Sequence, residues 1–178
     1  MEPFRAIELP GVGAASLAIK VGVASGPVRR FLVGDPAVQT IDVLAGDTLQ
    51  RMAAAEHLAQ KGDVIVDAAT AAALGGLAEL GEWRVDPDDG ARFAELRGLR
   101  AEVPAAPWPP LPVDALGEAA SRPWLLPPVF ERLRAGMGAF LTELRPIVAL
   151  FVRFGGIDYD GDPLAQEKLD AFILWAQR

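Results

Sequence analysis

Apolar and polar residues alternate along Ile19–Ala24: Ile19, Val21 and Val23 fall on one side of an extended chain, with Lys20, Gly22 and Ala24 on the other. That is the period of a half-buried strand. Gly26-Pro27 bends the chain, and the extended pattern resumes over Val28–Val33. Gly34-Asp35-Pro36 carries turn chemistry, because glycine permits positive φ, aspartate bonds its own backbone and proline fixes φ. Val38–Leu44 returns as a second strand, so an antiparallel hairpin is predicted. Thr48–Lys61 is rich in the helix formers Ala, Leu, Met, Gln and Glu; Asp47 and Gln50 have the spacing of a capping box, and Gly62 stands where a left-handed C-terminal cap belongs. Val64–Val66 suits a short buried strand, and Asp67 is placed to cap an alanine-rich helix ending near Leu74. The order is strand, turn, strand, helix, strand, helix.

Further along, Leu77–Leu99 reads as two short strands, LGEWRV and RFAELRG, joined by the turn formers Pro87-Asp88-Asp89-Gly90. Asp86, Asp88 and Asp89 read as a solvated hairpin tip, since a cation site would need a second ligand cluster. Pro104, Pro107, Pro109, Pro110, Pro112, Pro123, Pro127 and Pro128 make Val103–Pro128 a semi-rigid linker hostile to helix and central strand. Trp108 and Trp124 are expected to pack it back onto the preceding unit; a docking motif for a proline-recognising partner is the alternative. Pro128 opens a predicted helix with Val129, Leu133, Met137, Phe140 and Leu141 at helical spacing, broken by Arg145-Pro146. Ile147–Phe154, IVALFVRF, reads as a buried strand. Asp158, Asp160 and Asp162 begin like a calcium loop, but Gly161 and Leu169 fall where the motif needs other residues. The plainer reading makes Asp162 the N-cap and Pro163 the first residue of an amphipathic helix, Leu164–Arg178, with Leu169, Phe172, Ile173 and Ala176 on one side and Trp175 widening it. One strand and one helix cannot enclose a core, so this last apolar face needs further chain to cover it.

Composition narrows the chemistry. In 178 residues, 51% are apolar, enough to bury a core in one ordinary domain or a small domain plus part of another. A formal charge of −7 argues against nucleic acid and anionic membranes as partners, both of which attract positive surface. The absence of cysteine excludes disulfides, thiolate metal sites and a cysteine nucleophile, and fits a cytoplasmic location. The N-terminus lacks the basic and apolar regions of a signal peptide, and no apolar run has the length of a membrane span. His57 is the only histidine, so two-histidine metal sites are excluded and a Ser-His-Asp triad would rest on a helix-surface residue. Gly11-Val12-Gly13 lacks the third glycine and the preceding strand of a dinucleotide fingerprint, and no Walker phosphate loop is present.

The strand Val21–Val28, the strand running into Gly46-Asp47-Thr48, the helix Leu49–Lys61 and the strand-helix run Val64–Leu74 together resemble the C-terminal half of a class III adenylate/guanylate cyclase catalytic domain. They are most similar to the first cyclase unit of the soluble adenylyl cyclases, which carry two unequal units in tandem. The resemblance spans roughly Ile19–Leu99 and resumes at Glu143-Leu144-Arg145-Pro146 with IVALFVRFGG, which is similar to the beginning of the second unit. It implies an α+β, ferredoxin-like (βαββαβ-type) cyclase fold, incomplete here. It divides the chain into a lead-in (1–18), the back half of a first cyclase-like unit (19–102), the linker (103–128) and a connecting helix with the start of a second unit (129–178). On this reading the sequence is a piece of a longer protein.

The resemblance also implies where reactive groups would stand. An asparagine and an arginine four residues apart, which orient the ribose and stabilise charge on the phosphates, correspond to Gln50 and Ala54. Alanine cannot replace a cation that stabilises developing charge. The base-selecting position corresponds to Val43, with Asp42 facing the opposite side of the strand. The metal-binding aspartate of the second unit's first strand corresponds to Arg153, which cannot ligate Mg²⁺. Val43 and Gln50 thus form a degenerate substrate half-site, with no catalytic or metal-ligating residue in the chain itself. The expected parent converts ATP to cyclic AMP and pyrophosphate with Mg²⁺ or Mn²⁺, using cyclase-unit segments supplied in cis; this chain alone binds no metal and is inactive. The competing expectation is a non-catalytic, degenerate cyclase-fold module in a multidomain signalling ATPase, and a free-standing domain of unrelated function is a third.

Overall fold

A computed structural model of the protein describes residues 7–9, 11, 13–16, 18–112, 115–138, 146 and 148–178. The chain forms two compact units, one comprising Met1–Val28 and Gly46–Ala105, the other Arg29–Ala45 and Ala106–Arg178. Both are built from strands and helices, mostly antiparallel, so the fold class is α+β.

The first, the sheet unit, begins with a small antiparallel ribbon, β1 (Ile7–Leu9) and β2 (Gly13–Ala15), in the stretch expected only as a lead-in. Its main sheet has four strands in the order β3 (Val21–Val23), β6 (Val64–Asp67), β8 (Arg92–Leu99), β7 (Ala78–Val85). β3 and β6 run parallel, and β8 is antiparallel to both of its neighbours. Helix α1 (Asp47–Leu58) crosses from one parallel strand to the other, and α2 (Ala68–Leu74) follows β6 directly. α1 lies close on β3 because position 22 is glycine: a Cβ there would stand 2.6 Å from both the Glu56 nitrogen and the Met52 carbonyl oxygen. Ala55, Ala59, Ile65 and Phe93 form the core under α1, and Val66, Ala71 and Ala94 the core under α2. The exit of α1 is clamped by Arg84, which donates to the Leu58 carbonyl and to Asp63, each at 2.7 Å. The hydrogen bond from the Gln60 amide, followed by that from Arg84, holds the Asp63 carboxyl below its ordinary range.

The second, the hairpin unit, contains β4 (Arg29–Val33) and β5 (Ile41–Ala45), paired antiparallel from Arg29↔Ala45 to Val33↔Ile41. A lone two-stranded hairpin is marginal in water. Its cover is α5 (Ala165–Ala176), whose buried Ala165 and Leu169 pack with Phe31, Val33 and Ala45, flanked by Ile41, Val43, Ile157, Tyr159 and Ile173. Burying Phe31, Val33 and Leu169 contributes roughly 1.5–3 kcal/mol each. Polar contacts fix the alignment. Asp170 accepts from the Gly34 amide at 2.7 Å, while Gln177 accepts from the Asp35 amide at 2.7 Å and donates to the Gln39 carbonyl at 2.8 Å. Position 34 must be glycine, with φ 98° and 2.7 Å between a would-be Cβ and the Gln39 carbonyl oxygen. Arg29 donates to the carbonyls of Tyr159 and Asp162 at 2.9 and 3.0 Å, with its guanidinium 5.0 Å from the centre of the Phe31 ring.

Several local expectations are corrected. Asp47 does not cap α1: the N-cap is Gly46, with no side-chain bond, and Asp47 lies inside the first turn, bonded to Arg51. Gly62 lies beyond the helix end in the loop to β6, its amide donating to the Ile19 carbonyl at 2.9 Å. Two short helices occupy the proline-rich stretch, α3 (Glu118–Ser121) and α4 (Pro127–Arg134), because Pro127 and Pro128 occupy first-turn positions where no amide donor is needed. Trp108 is 93% exposed and packs nothing back, whereas Gln39 donates to the Trp124 carbonyl at 3.1 Å and the Thr40 amide to the Pro123 carbonyl at 2.5 Å. In α4 the buried residue is Phe130, under the Arg122 guanidinium, while Leu133 and Met137 are exposed; Phe140 and Leu141 lie outside the described residues. Ile147 also lies outside them, and Val148–Phe154 forms no strand, with Val148 95% and Phe151 94% exposed, because no described strand pairs with it. α5 starts at Ala165 rather than Pro163: Asp162 spends its side chain on the Leu164 amide at 2.8 Å and on Lys168 at 2.5 Å. Trp175 is 64% exposed, in a tilted contact with Phe172, which in turn stacks on Phe154.

Candidate functional site

The head of α1 is the most densely bonded polar region of the sheet unit. β3 delivers Ser25-Gly26-Pro27 there, β6 ends in Asp67, and α1 contributes Thr48 and Arg51. Asp67 is 1% exposed and caps α2 by accepting from the Thr70 amide at 2.8 Å, as its position in the sequence predicts. Its other oxygen accepts from Arg51 Nε at 2.8 Å. Arg51 also donates to Asp47, to the Ser25 carbonyl at 3.0 Å and to Thr48 Oγ1 at 3.3 Å. Thr48 Oγ1 donates to the Pro27 carbonyl at 2.7 Å, and Thr70 Oγ1 to Ser25 Oγ at 2.8 Å. Burial pushes the Asp67 carboxyl up, but the hydrogen bonds from Thr70, Arg51 and Ser25 outweigh it, and the group sits below its ordinary range.

Beside this network lies a depression of about 220 Å³ lined by Asp47, Gln50, Arg51, Ala54, Asp86, Asp88, Asp89 and Phe93. Gln50 is exposed in the first turn of α1, and Ala54, one turn on, is half-buried against the core of Ala55, Ile65 and Phe93. The single cation of the lining is the already paired Arg51, so the depression presents carboxylates and offers no charge complement to a polyphosphate. Asp86 and Asp89 close their own turn, accepting from the Asp88 and Ala91 amides at 2.9 and 2.8 Å. A neighbouring depression of about 520 Å³ runs along Ala53, Ala54, His57 and Leu58 to the same tip.

Val43 belongs to the hairpin unit, on β5 opposite Phe31 and half-buried against the core under α5. Asp42 faces the other side of the strand, as expected, and is held by Arg30 through Nε at 2.8 Å and NH2 at 2.7 Å. That hydrogen bond keeps the Asp42 carboxyl below its ordinary range. Arg153 is exposed in the unpaired stretch. Among the described residues no group of three or more His, Asp or Glu side chains is placed to hold a metal ion, and no helix is long and apolar enough to cross a membrane. Ser25 and Thr70 lie within the two strand runs that carry the resemblance, Val21–Val28 and Val64–Leu74, but no role was expected of them, and none of Arg51. The one local signal was the i,i+4 spacing of Asp47 and Arg51, which favours a pair on a helix face.

No known family model matches the chain, and no curated protein matches it. Two solved structures share part of its backbone course. One is the guanylate cyclase domain of RhGC from Catenaria anguillulae in complex with GTP, aligned over 44% of this chain and 44% of that chain at 20% identity and a TM-score of 0.39. The other is the catalytic core of a rhodopsin-guanylyl cyclase with converted specificity in complex with ATPαS, aligned over 42% of this chain and 41% of that chain at 19% identity and a TM-score of 0.35. The chain therefore spans under half the length of either structure.

Proposed function

We propose that this chain is the scaffold portion of a class III cyclase-like signalling protein and is itself without cyclase activity. The observation that carries the reading is the course of the chain through Gly46-Asp47-Thr48 into α1, with Gln50 and Ala54 at the positions that an active unit fills with asparagine and arginine. Arg51, the nearest cation, offers no substitute, because the carboxylates of Asp67 and Asp47 already pair its charge. The exposed apolar stretch Val148–Phe154 supports a chain that needs further cyclase-unit segments in cis to cover it. In the intact parent, a cytoplasmic protein on this reading, ATP would be the substrate. Mg²⁺ or Mn²⁺, held by carboxylates outside this chain, would activate the 3′-hydroxyl and clamp the phosphates as cyclic AMP and pyrophosphate form.

The second reading, a degenerate cyclase-fold module that regulates a signalling ATPase, is favoured by the acidic depression around Gln50 and by Arg153. Incubation of the purified chain with ATP or GTP and either metal is expected to yield no cyclic nucleotide, and formation of cyclic AMP or cyclic GMP would overturn both readings. Expression of the flanking coding sequence separates them. Two metal-spaced aspartates upstream and an Asn-x-x-x-Arg helix downstream, with activity restored, support the enzyme; their absence supports the module.

A further inference from the structure

The face of the hairpin turned away from α5 carries Arg30, opposite Leu44, and Asp42, opposite Leu32, joined as a diagonal ion pair. In the same unit, the 3₁₀ turn Arg122–Trp124 that follows α3 is tied to the hairpin through its backbone. The Pro123 carbonyl accepts from the Thr40 amide and the Trp124 carbonyl from the Gln39 side chain. Between turn and hairpin lies a depression of about 460 Å³, walled by Leu116, Ala120, Trp124 and Leu125 and floored by Arg30 and Asp42. Pockets for small molecules span about 300–1,000 Å³ and are mostly apolar, with a few convergent polar groups. Leu116 and Trp124 stand 60% and 38% exposed, apolar surface that an occupant would remove from water.

The polar groups define that occupant. Ser121, also in the lining, turns its hydroxyl to the Gly117 and Glu118 carbonyls. Asp42 takes the Nε and one terminal nitrogen of Arg30, and no described residue engages the other, Nη1, so the donor at the floor is Arg30 Nη1. The pair is neutral as a unit, and the chain's formal charge of −7 disfavours an anionic ligand. We propose that this depression is a binding site for a small, uncharged aromatic molecule with one carbonyl acceptor, its rings against Trp124 and Leu116 and its carbonyl on Arg30 Nη1. The two backbone tethers form the wall before the ligand arrives, which lowers the ordering cost of binding. The site lies within the hairpin unit, goes beyond the cyclase reading and does not depend on it.

The test is titration of the full, ¹⁵N-labelled chain with coumarin, a fused two-ring lactone of this class, followed by amide and indole N–H shifts. Saturating shifts are expected for the Trp124 indole and the Ala120 and Ser121 amides, with the indoles of Trp83, Trp108 and Trp175 unmoved. Ala120→Leu, at an exposed position of α3 with a good helix former, fills the depression and should abolish the saturating shifts. Arg30→Met removes the donor and should weaken binding about fivefold, the worth of one ordinary hydrogen bond. Unchanged amide positions away from the depression show that both variants fold. No saturation at Trp124, or equal shifts at the exposed Trp108 and Trp175, overturns the site. So does undiminished binding by Ala120→Leu or Arg30→Met. Tighter binding of coumarin-3-carboxylate than of coumarin overturns the uncharged class, since that reports an anion site.

Discussion

The two units meet one requirement, covering a small sheet with a helix, by different means. In the sheet unit, α1 is fixed at its head by an ion pair between a buried aspartate and a half-buried arginine 16 residues apart in sequence, surrounded by hydroxyl and carbonyl groups that satisfy it. In the hairpin unit, α5 reaches residues 136 and 142 positions away and holds them through backbone amides and a compact apolar core. A buried charge pair is costly to break but sensitive to the protonation of its carboxylate. An apolar face is indifferent to pH and sensitive to volume. The difference assigns each unit its own weakness.

Four perturbations sharpen that contrast. Leu169→Ala empties the centre of the hairpin core and should cost that unit about 2–4 kcal/mol, seen as loss of protection across β4 and β5. Equal loss across the main sheet would erase the distinction between the units. Asp67→Ala removes the buried partner of Arg51 and the cap of α2, and should cost the sheet unit about 2–3 kcal/mol, the range of a hydrogen bond to a charged group plus a helix cap, read from denaturant unfolding with exchange of the β6 and β8 amides. A loss below about 1 kcal/mol, the net worth of one ordinary hydrogen bond, would show that the pair is not what fixes α1.

The third perturbation is acid. Asp67 and Asp63 both titrate below their ordinary range when folded, so their contribution is complete above the unfolded carboxylate value of about 3.9 and is lost as pH falls through the folded values. Asp67→Asn should therefore flatten the acid limb of sheet-unit stability and leave that of the hairpin unit unchanged; parallel acid limbs in wild type and variant would contradict this. The smallest effect belongs to Arg30→Ala, which removes an exposed pair with Asp42 whose partners already have water. No measurable change in Tm is expected, and a clear drop would mean that this face of the hairpin is covered.

Much of the fold could be read locally. The turn at Gly34-Asp35-Pro36, the apolar run Val64–Val66, the cap at Asp67 and the hairpin around Pro87–Gly90 each depend on a few adjacent residues and each forms as expected, while the strand expected over Ile19–Ala24 forms only at Val21–Val23 and leaves Ile19 exposed. Ile147–Phe154 has the strongest strand composition of its region, yet Val148–Phe154 pairs with nothing described, because a strand is completed by a neighbour that its own sequence does not supply. At the candidate site, the helix-forming composition of Thr48–Lys61 places Gln50 and Ala54 on α1, and the resemblance alone singles them out. The commitment of Arg51 was legible in neither, since its partners Ser25 and Asp67 come from two other segments.

By itself the sequence determined the α+β class, the hairpins and the cap at Asp67, while α1 and α5 took other N-caps than the residues it pointed to. Hydrophobic period, turn chemistry and residue identity are properties of short stretches, and short stretches suffice to specify them. Only the tertiary structure decided that α5 is the cover of β4–β5, that Arg51 is consumed by Asp67, and that Gln50 faces an acidic depression. Those outcomes rest on contacts between residues far apart in the chain, where packing volume and charge pairing select among partners that local pattern leaves equivalent.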